Sequence, residues 1–260
     1  MKGLEACLLS MFTTYDIIAI MESIILGEWT ETRLNDVLRE AAKIQDAGER
    51  ISFLSKKFLG ISYRESTLIG DVNTPEIFVV NLEGVDCFTF IDYIEAMRLS
   101  GSLDEFKENL KKVRYKSGNV SFQSRNHFFN DWIEFNPDFV DDITEEIGGR
   151  NIVKTQKVLN LKEDGSCYLA GIQAREREIK YIPPGAVDDF VIEKLKTGDY
   201  AGIYSEKAGL DVSHVGIIIK TANGIYLRHA SSIKRKVVDE DFKEYMNGKP
   251  GLIVLRAKTR

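Results

Sequence analysis

What most constrains the fold of this chain is a change of texture late in its length. Residues 199–204, 215–219, 225–227 and 252–255 are short runs rich in β-branched and aromatic residues, and Asn223-Gly224 is a hairpin signal between the middle pair. Upstream the apolar residues recur at helical spacing instead. Leu34, Val37, Leu38 and Ala41 mark one helix; Ile51, Phe53, Leu54 and Phe58 mark another, closed by Gly60. Helices followed by clustered strands predict an α+β fold.

A short apolar run at 77–80 reads as a strand leading into Val85-Asp86-Cys87-Phe88-Thr89-Phe90. Over 87–99, Phe88, Phe90, Ile91, Ile94 and Met97 crowd one broad face, as in a helix packed on a core, and Ser100-Gly101 ends it. A second helix is expected over 103–113, followed by an aromatic-rich segment whose shape the spacing leaves open. After the acidic run 141–146, Gly148-Gly149 marks a break. The expected organisation is an N-terminal helical region over 1–60 packed on a catalytic domain over 61–260, with a helical insertion around 100–150.

With 260 residues and 43% hydrophobic content, the chain can bury a core without disulfide staples. Cys7, Cys87 and Cys167 are an odd, widely spaced set with no CxxC pair, which fits free thiols. A net charge of −5 with scattered basic residues argues against a nucleic-acid partner. The stretch 6–26 is apolar, but Glu5, Asp16 and Glu22 interrupt it, so it reads as a helix packed on the body and not as a membrane span. Lys2 alone is a weak start for a secretory signal. As written the chain reads as cytoplasmic, with periplasmic or exported as the alternative if the native N-terminus differs.

Three separated stretches carry the candidate chemistry. Cys87 at a helix start would have its sulfur beside unpaired backbone N–H groups and the positive end of the helix dipole, both of which favour a thiolate. His214, in Ser213-His214-Val215-Gly216, opens an apolar strand from which its ring can reach that helix start as a general base. His229 lies on the next strand of the hairpin and can accept a hydrogen bond from the other ring nitrogen of His214, fixing its tautomer. Each residue alone fits an ordinary buried thiol or a satisfied strand histidine; the spacing of two histidines around one hairpin favours the joint reading. Arg125 and His127 suit a carboxylate or a sugar, with Trp132 as an apolar wall, and a packed aromatic helix is the equal alternative. Cys7 and Cys167 read as structural.

Tyr63, Asp86-Cys87, Ser213-His214-Val215-Gly216 and His229-Ala230-Ser231 resemble the NlpC-type papain-like cysteine hydrolases, bacterial enzymes that cut peptidoglycan peptides. Asn81-Leu82, Thr89-Phe90, Arg125 with His127, Asp131-Trp132 and the run from Gly209 to Gly216 resemble its N-acetylmuramoyl-L-alanine amidase-like branch. The resemblance runs from about Leu34 to the C-terminus. Asp86-Cys87-Phe88-Thr89 departs from the wider superfamily's Asp-Cys-Ser-Gly, and Ser62-Tyr63-Arg64 from its Pro-Tyr.

This resemblance implies a small antiparallel papain-like sheet with the Cys87 helix packed on it, and helices that narrow the cleft. It implies Cys87 as nucleophile, His214 as base and His229 as orienting residue. The Cys87 N–H and Tyr63 hydroxyl would stabilise the oxyanion, while Asp86 and Ser213 would shape the substrate site. The implied substrate is a peptidoglycan fragment, with no cofactor; the sequence leaves the oligomeric state open, with a monomer expected. Alternatives are a γ-D-glutamyl-diamino-acid endopeptidase, a transition-metal site built from Cys87, His214 and His229, and an inactive wall-binding module.

Overall fold

A computed structural model describes residues 21–259. Its centre is an eight-stranded sheet in the order β4-β2-β11-β10-β9-β8-β12-β5. These strands are β2 (Ser62–Tyr63), β4 (Gly84–Val85), β5 (Val140–Asp142), β8 (Tyr200–Tyr204), β9 (Val212–Thr221), β10 (Gly224–Ser231), β11 (Lys236–Asp241) and β12 (Leu252–Ala257). All neighbours are antiparallel except β2 and β4. The sheet is thus mixed and larger than the small antiparallel one expected.

Helices cover both faces. Along β9, Val215, Ile217 and Ile219 enter one apolar cluster while Ile218 enters the other; along β12, Ile253 and Leu255 are set against Leu252 and Val254. Burial on both sides explains why these strands read as continuous apolar runs instead of alternating ones. The first cluster holds α1 (Glu31–Ala42), α2 (Ala47–Lys56), α3 (Cys87–Arg98), α4 (Leu103–Arg114) and α5 (Phe129–Phe135). The second holds α6 (Thr144–Gly148), α7 (Asp189–Lys194) and α8 (Phe242–Met246).

Helix starts are written locally. Thr30, Asp46 and Ser102 each accept the backbone N–H three residues on, at 3.1, 2.8 and 3.2 Å. Helix α3 differs from its expected single apolar face: every residue from Thr89 to Arg98 is buried. Its polar groups are therefore paired. Arg114 donates to Asp92 at 3.0 Å, Trp132 Nε1 donates to the same carboxylate at 3.1 Å, and Glu95 takes both Arg98, at 2.6 Å, and the Tyr200 hydroxyl, at 2.7 Å.

Three local expectations change. Most of the 6–26 segment, Cys7 included, lies outside the described residues, but its end forms β1 (Glu22–Ile25), a strand pairing in parallel with β3 (Phe78–Asn81). The β9–β10 corner is made by Ala222 and Asn223; Gly224 is already paired with Thr221, at φ +142°. Val140–Asp142, in the acidic run, is an edge strand of the main sheet. A further hairpin ribbon, β6 (Val153–Leu159) with β7 (Arg175–Tyr181), carries charged residues on both strands and has no apolar alternation to announce it.

Candidate active site

Asp86 caps α3 with a full capping box. Its carboxylate accepts the N–H of Phe88 at 3.0 Å and of Thr89 at 2.7 Å, while the Thr89 hydroxyl accepts the Asp86 N–H at 3.0 Å. Cys87 is the first helical residue and is half-buried as a whole. The N–H groups of Val215, Cys87 and Phe88 act on the sulfur and favour the anion. Burial and the adjacent Asp86 carboxylate outweigh them and push the thiol up to about 12. The helix start therefore does not ionise the thiol by itself, contrary to the expectation from its position. The protonated thiol is favoured at neutral pH.

The His214 ring is aimed by two backbone devices. β9 and β8 shift register between the pairs Ile203–His214 and Tyr204–Val212, so Ser213 is an extra, bulged residue directly before His214. Gly216 then stands on β9 where the register carries His229 opposite it. A Cβ there would lie 2.8 Å from Leu227 Cδ1 and 3.0 Å from both the Arg228 carbonyl oxygen and the His229 Cβ, so a larger residue would crowd the strand that carries His229. The His229 ring crosses diagonally to His214, Nδ1 to Nε2 at 2.7 Å, with the planes at 89°. On its far side His229 Nε2 meets Glu240 Oε2, also at 2.7 Å.

Electrostatics keep this line neutral up to its last member. Burial, then His229 and Lys249, lower His214 to about 3. Burial also lowers His229, against the hydrogen bond and charge of Glu240, which raise it. A carboxylate only accepts, so Glu240 takes the His229 Nε2–H. His229 Nδ1 is then a bare acceptor, and it takes the His214 Nε2–H. His214 Nδ1 remains as the unprotonated nitrogen. Tyr245, from α8, sets its ring edge-on 5.0 Å from His229 and tilted 6.1 Å from His214.

Tyr63 is close enough to Cys87 and Asp86 for both to act on it. Burial first, then these acids, raise its pKa and keep its hydroxyl protonated as a donor. Asp86 also lines a groove shared with Thr67, Phe122, Arg125 and Tyr168. The remaining candidates are engaged in contacts of their own. Arg125 is clamped on Glu76, with contacts of 3.1 and 2.5 Å. His127 Nε2 pairs with the Phe122 carbonyl at 2.8 Å, and burial lowers it to about 4. Trp132 lies wholly in the core and stacks with Phe129, so it walls no cleft. The Ser213 hydroxyl donates to the Ile203 carbonyl at 3.3 Å.

Glu240 and Tyr245 are absent from the sequence reading. Glu240 pairs across from Leu227, one diagonal from His229, a placement set by the β10–β11 register. The metal alternative fails on donor geometry, since both nitrogens of His229 and one of His214 are spent in hydrogen bonds. Among the described residues no three His, Cys, Asp or Glu side chains are grouped to hold a metal ion. Cys167 is exposed and has no part in the site.

No functionally curated protein matches the chain significantly. Solved structures do. A Legionella pneumophila str. Philadelphia 1 protein of the DUF1460 family superposes with a TM-score of 0.75 at 22% identity, over 87% of this chain and 94% of that one. An N-acetylmuramoyl-L-alanine amidase from Bacteroides uniformis gives 0.65 at 26% identity, over 82% and 99%. A putative xylanase from Bacteroides fragilis gives 0.61 at 26%, over 78% and 98%. The family model for AmiA-like, N-acetylmuramoyl-L-alanine amidase-like proteins matches residues 53–252, which include Cys87, His214, His229 and Glu240. The chain belongs to this AmiA-like amidase family.

Proposed function

We propose that the chain is a cysteine-dependent N-acetylmuramoyl-L-alanine amidase of NlpC type that acts on peptidoglycan fragments. The observation that carries this reading is the hydrogen-bonded line from Glu240 through His229 to His214, whose next residue, Val215, turns its N–H on the Cys87 sulfur at the start of α3.

In the reaction the sulfur of Cys87 bonds to the lactyl carbonyl carbon, and the thiol proton passes to His214 Nδ1. The carbonyl π electrons move onto oxygen. The Cys87 N–H and the Tyr63 hydroxyl donate to that oxyanion. As it collapses, the C–N bond breaks and His214 returns the proton to the departing amine of L-alanine. Water then attacks the thioester, losing its proton to His214, and the thiol leaves with that proton as the muramic acid carboxyl is released. Glu240 is a positioning residue that holds the tautomers and offsets the imidazolium charge. Because burial keeps thiol and imidazole neutral at rest, proton transfer accompanies attack in place of a standing ion pair.

Products of muropeptide digestion, resolved by mass spectrometry, test the reading. Intact stem peptide and a peptide-free sugar are expected from the wild type and not from Cys87→Ala. Release of L-Ala-D-Glu or its muramyl conjugate would overturn it in favour of the endopeptidase.

A further inference from the structure

A cavity of about 220 Å³ lies between the 116–131 segment and the start of β7, with Lys116, Gln123, Arg125, Asp131 and Arg175 in its wall. Its cations are of two kinds. Arg125 is neutralised by Glu76. Lys116 and Arg175 are half-buried, and among the described residues neither has a carboxylate within ion-pair distance. The Lys116 ammonium instead sits 4.0 Å above the Phe135 ring.

The surrounding charge does not balance. Asp131 is 6% exposed, and its nearest cation, Arg177, stands 3.8 Å away while holding Glu134 more closely. Burial and then Arg175 bear against the Lys116 charge; Asp131 and Glu134 support it only in part. Lys116, Arg175 and Arg177 set against Asp131 and Glu134 leave one positive charge over. Removing cations from water without a counter-ion destabilises a fold, so an uncompensated pair in a concave site marks a place for an anion.

We infer that this pocket binds one carboxylate on the peptide arm of the substrate, with Arg175 and Lys116 as the recognising pair. A single surplus charge suits a monoanion, and a phosphate dianion would be opposed by Asp131. A planar carboxylate also matches the guanidinium fork. Arg125 is a wall common to this pocket and to the groove that holds Asp86, the residue before Cys87. The identity of the ligand rests on the amidase reading; the charge imbalance does not.

The test is calorimetric binding to Cys87→Ala protein, using stem peptides in which each free carboxylate is converted in turn to its amide. One amide is expected to weaken binding roughly tenfold. Arg175→Gln should weaken the parent acid by the same factor and leave that amide unchanged, with Lys116→Gln acting in the same direction. The proposal is overturned if no single amide weakens binding, if no stem peptide binds, or if Arg175→Gln affects acid and amide alike. Muropeptide cleavage is scored separately on wild-type protein. Loss of cleavage specificity with carboxylate selection retained removes the amidase reading and leaves the pocket; the converse removes the pocket alone.

Discussion

Helix α3 anchors two buried polar lines, and the molecule treats their charges in opposite ways. In the middle of the helix Asp92 meets Arg114 and Trp132, and Arg114 also donates to the Val79 carbonyl at 2.6 Å. There the guanidinium stays charged and offsets a carboxylate that burial has raised to about 6. At the N-terminus, burial drives the half-buried Cys87 and His214 toward their neutral forms, the Asp86 carboxylate beside the thiol works in the same direction on it, and Glu240 stands at the outer end of the histidine line. A compensated charge holds structure; groups held neutral with a proton to exchange can do chemistry.

The sharpest break in this comparison is Cys87→Ala. Turnover of muropeptides should fall by at least about a thousandfold, while stability in urea changes by less than ~1 kcal/mol. A variant that keeps turnover would remove the nucleophile from the mechanism. Arg114→Met should do the reverse, because it leaves Asp92 buried without its partner. A loss of about 3–5 kcal/mol in urea unfolding is expected. If that loss stays below ~1 kcal/mol, the two lines are not different in kind.

Glu240→Gln sharpens the contrast within the site itself. The carboxylate raises the His229 pKa, so its removal lowers it. The acid limb of kcat/KM, and of Cys87 alkylation by iodoacetamide, should move to lower pH, with the plateau down roughly tenfold. A merely structural role would lower the plateau and leave the limb in place. The smallest effect is expected at His127. Its folded pKa, about 4, is below the unfolded value, so its share of stability is complete above the unfolded pKa and is lost as pH falls toward 4. Urea unfolding at about pH 7 and about pH 5 should show the advantage of wild type over His127→Gln shrinking on acidification.

Much of the frame was legible. Helices α1 to α4 announced themselves by apolar spacing, with Cys87 at the start of α3, because helical periodicity is local. The apolar runs at β8, β9, β10 and β12 announced themselves, since each strand is buried on both faces. The β6–β7 ribbon did not. Its register sets Gln156 opposite Glu178 and Lys157 opposite Arg177, and such polar strands leave no periodicity to read.

Within the candidate site the division follows the range of each interaction. Sequence alone determined the thiol at a helix start and two histidines on one hairpin, because helical spacing and hairpin pairing are local. Only the tertiary structure decided that Glu240 ends the line, that Arg125 is spent on Glu76, and that Lys116 and Arg175 share one pocket. Those pairings join residues far apart in the chain. They depend on register and packing, which no short window of sequence contains. It likewise took burial, a property of the whole fold, to turn a helix start that favours a thiolate into one where the thiol keeps its proton.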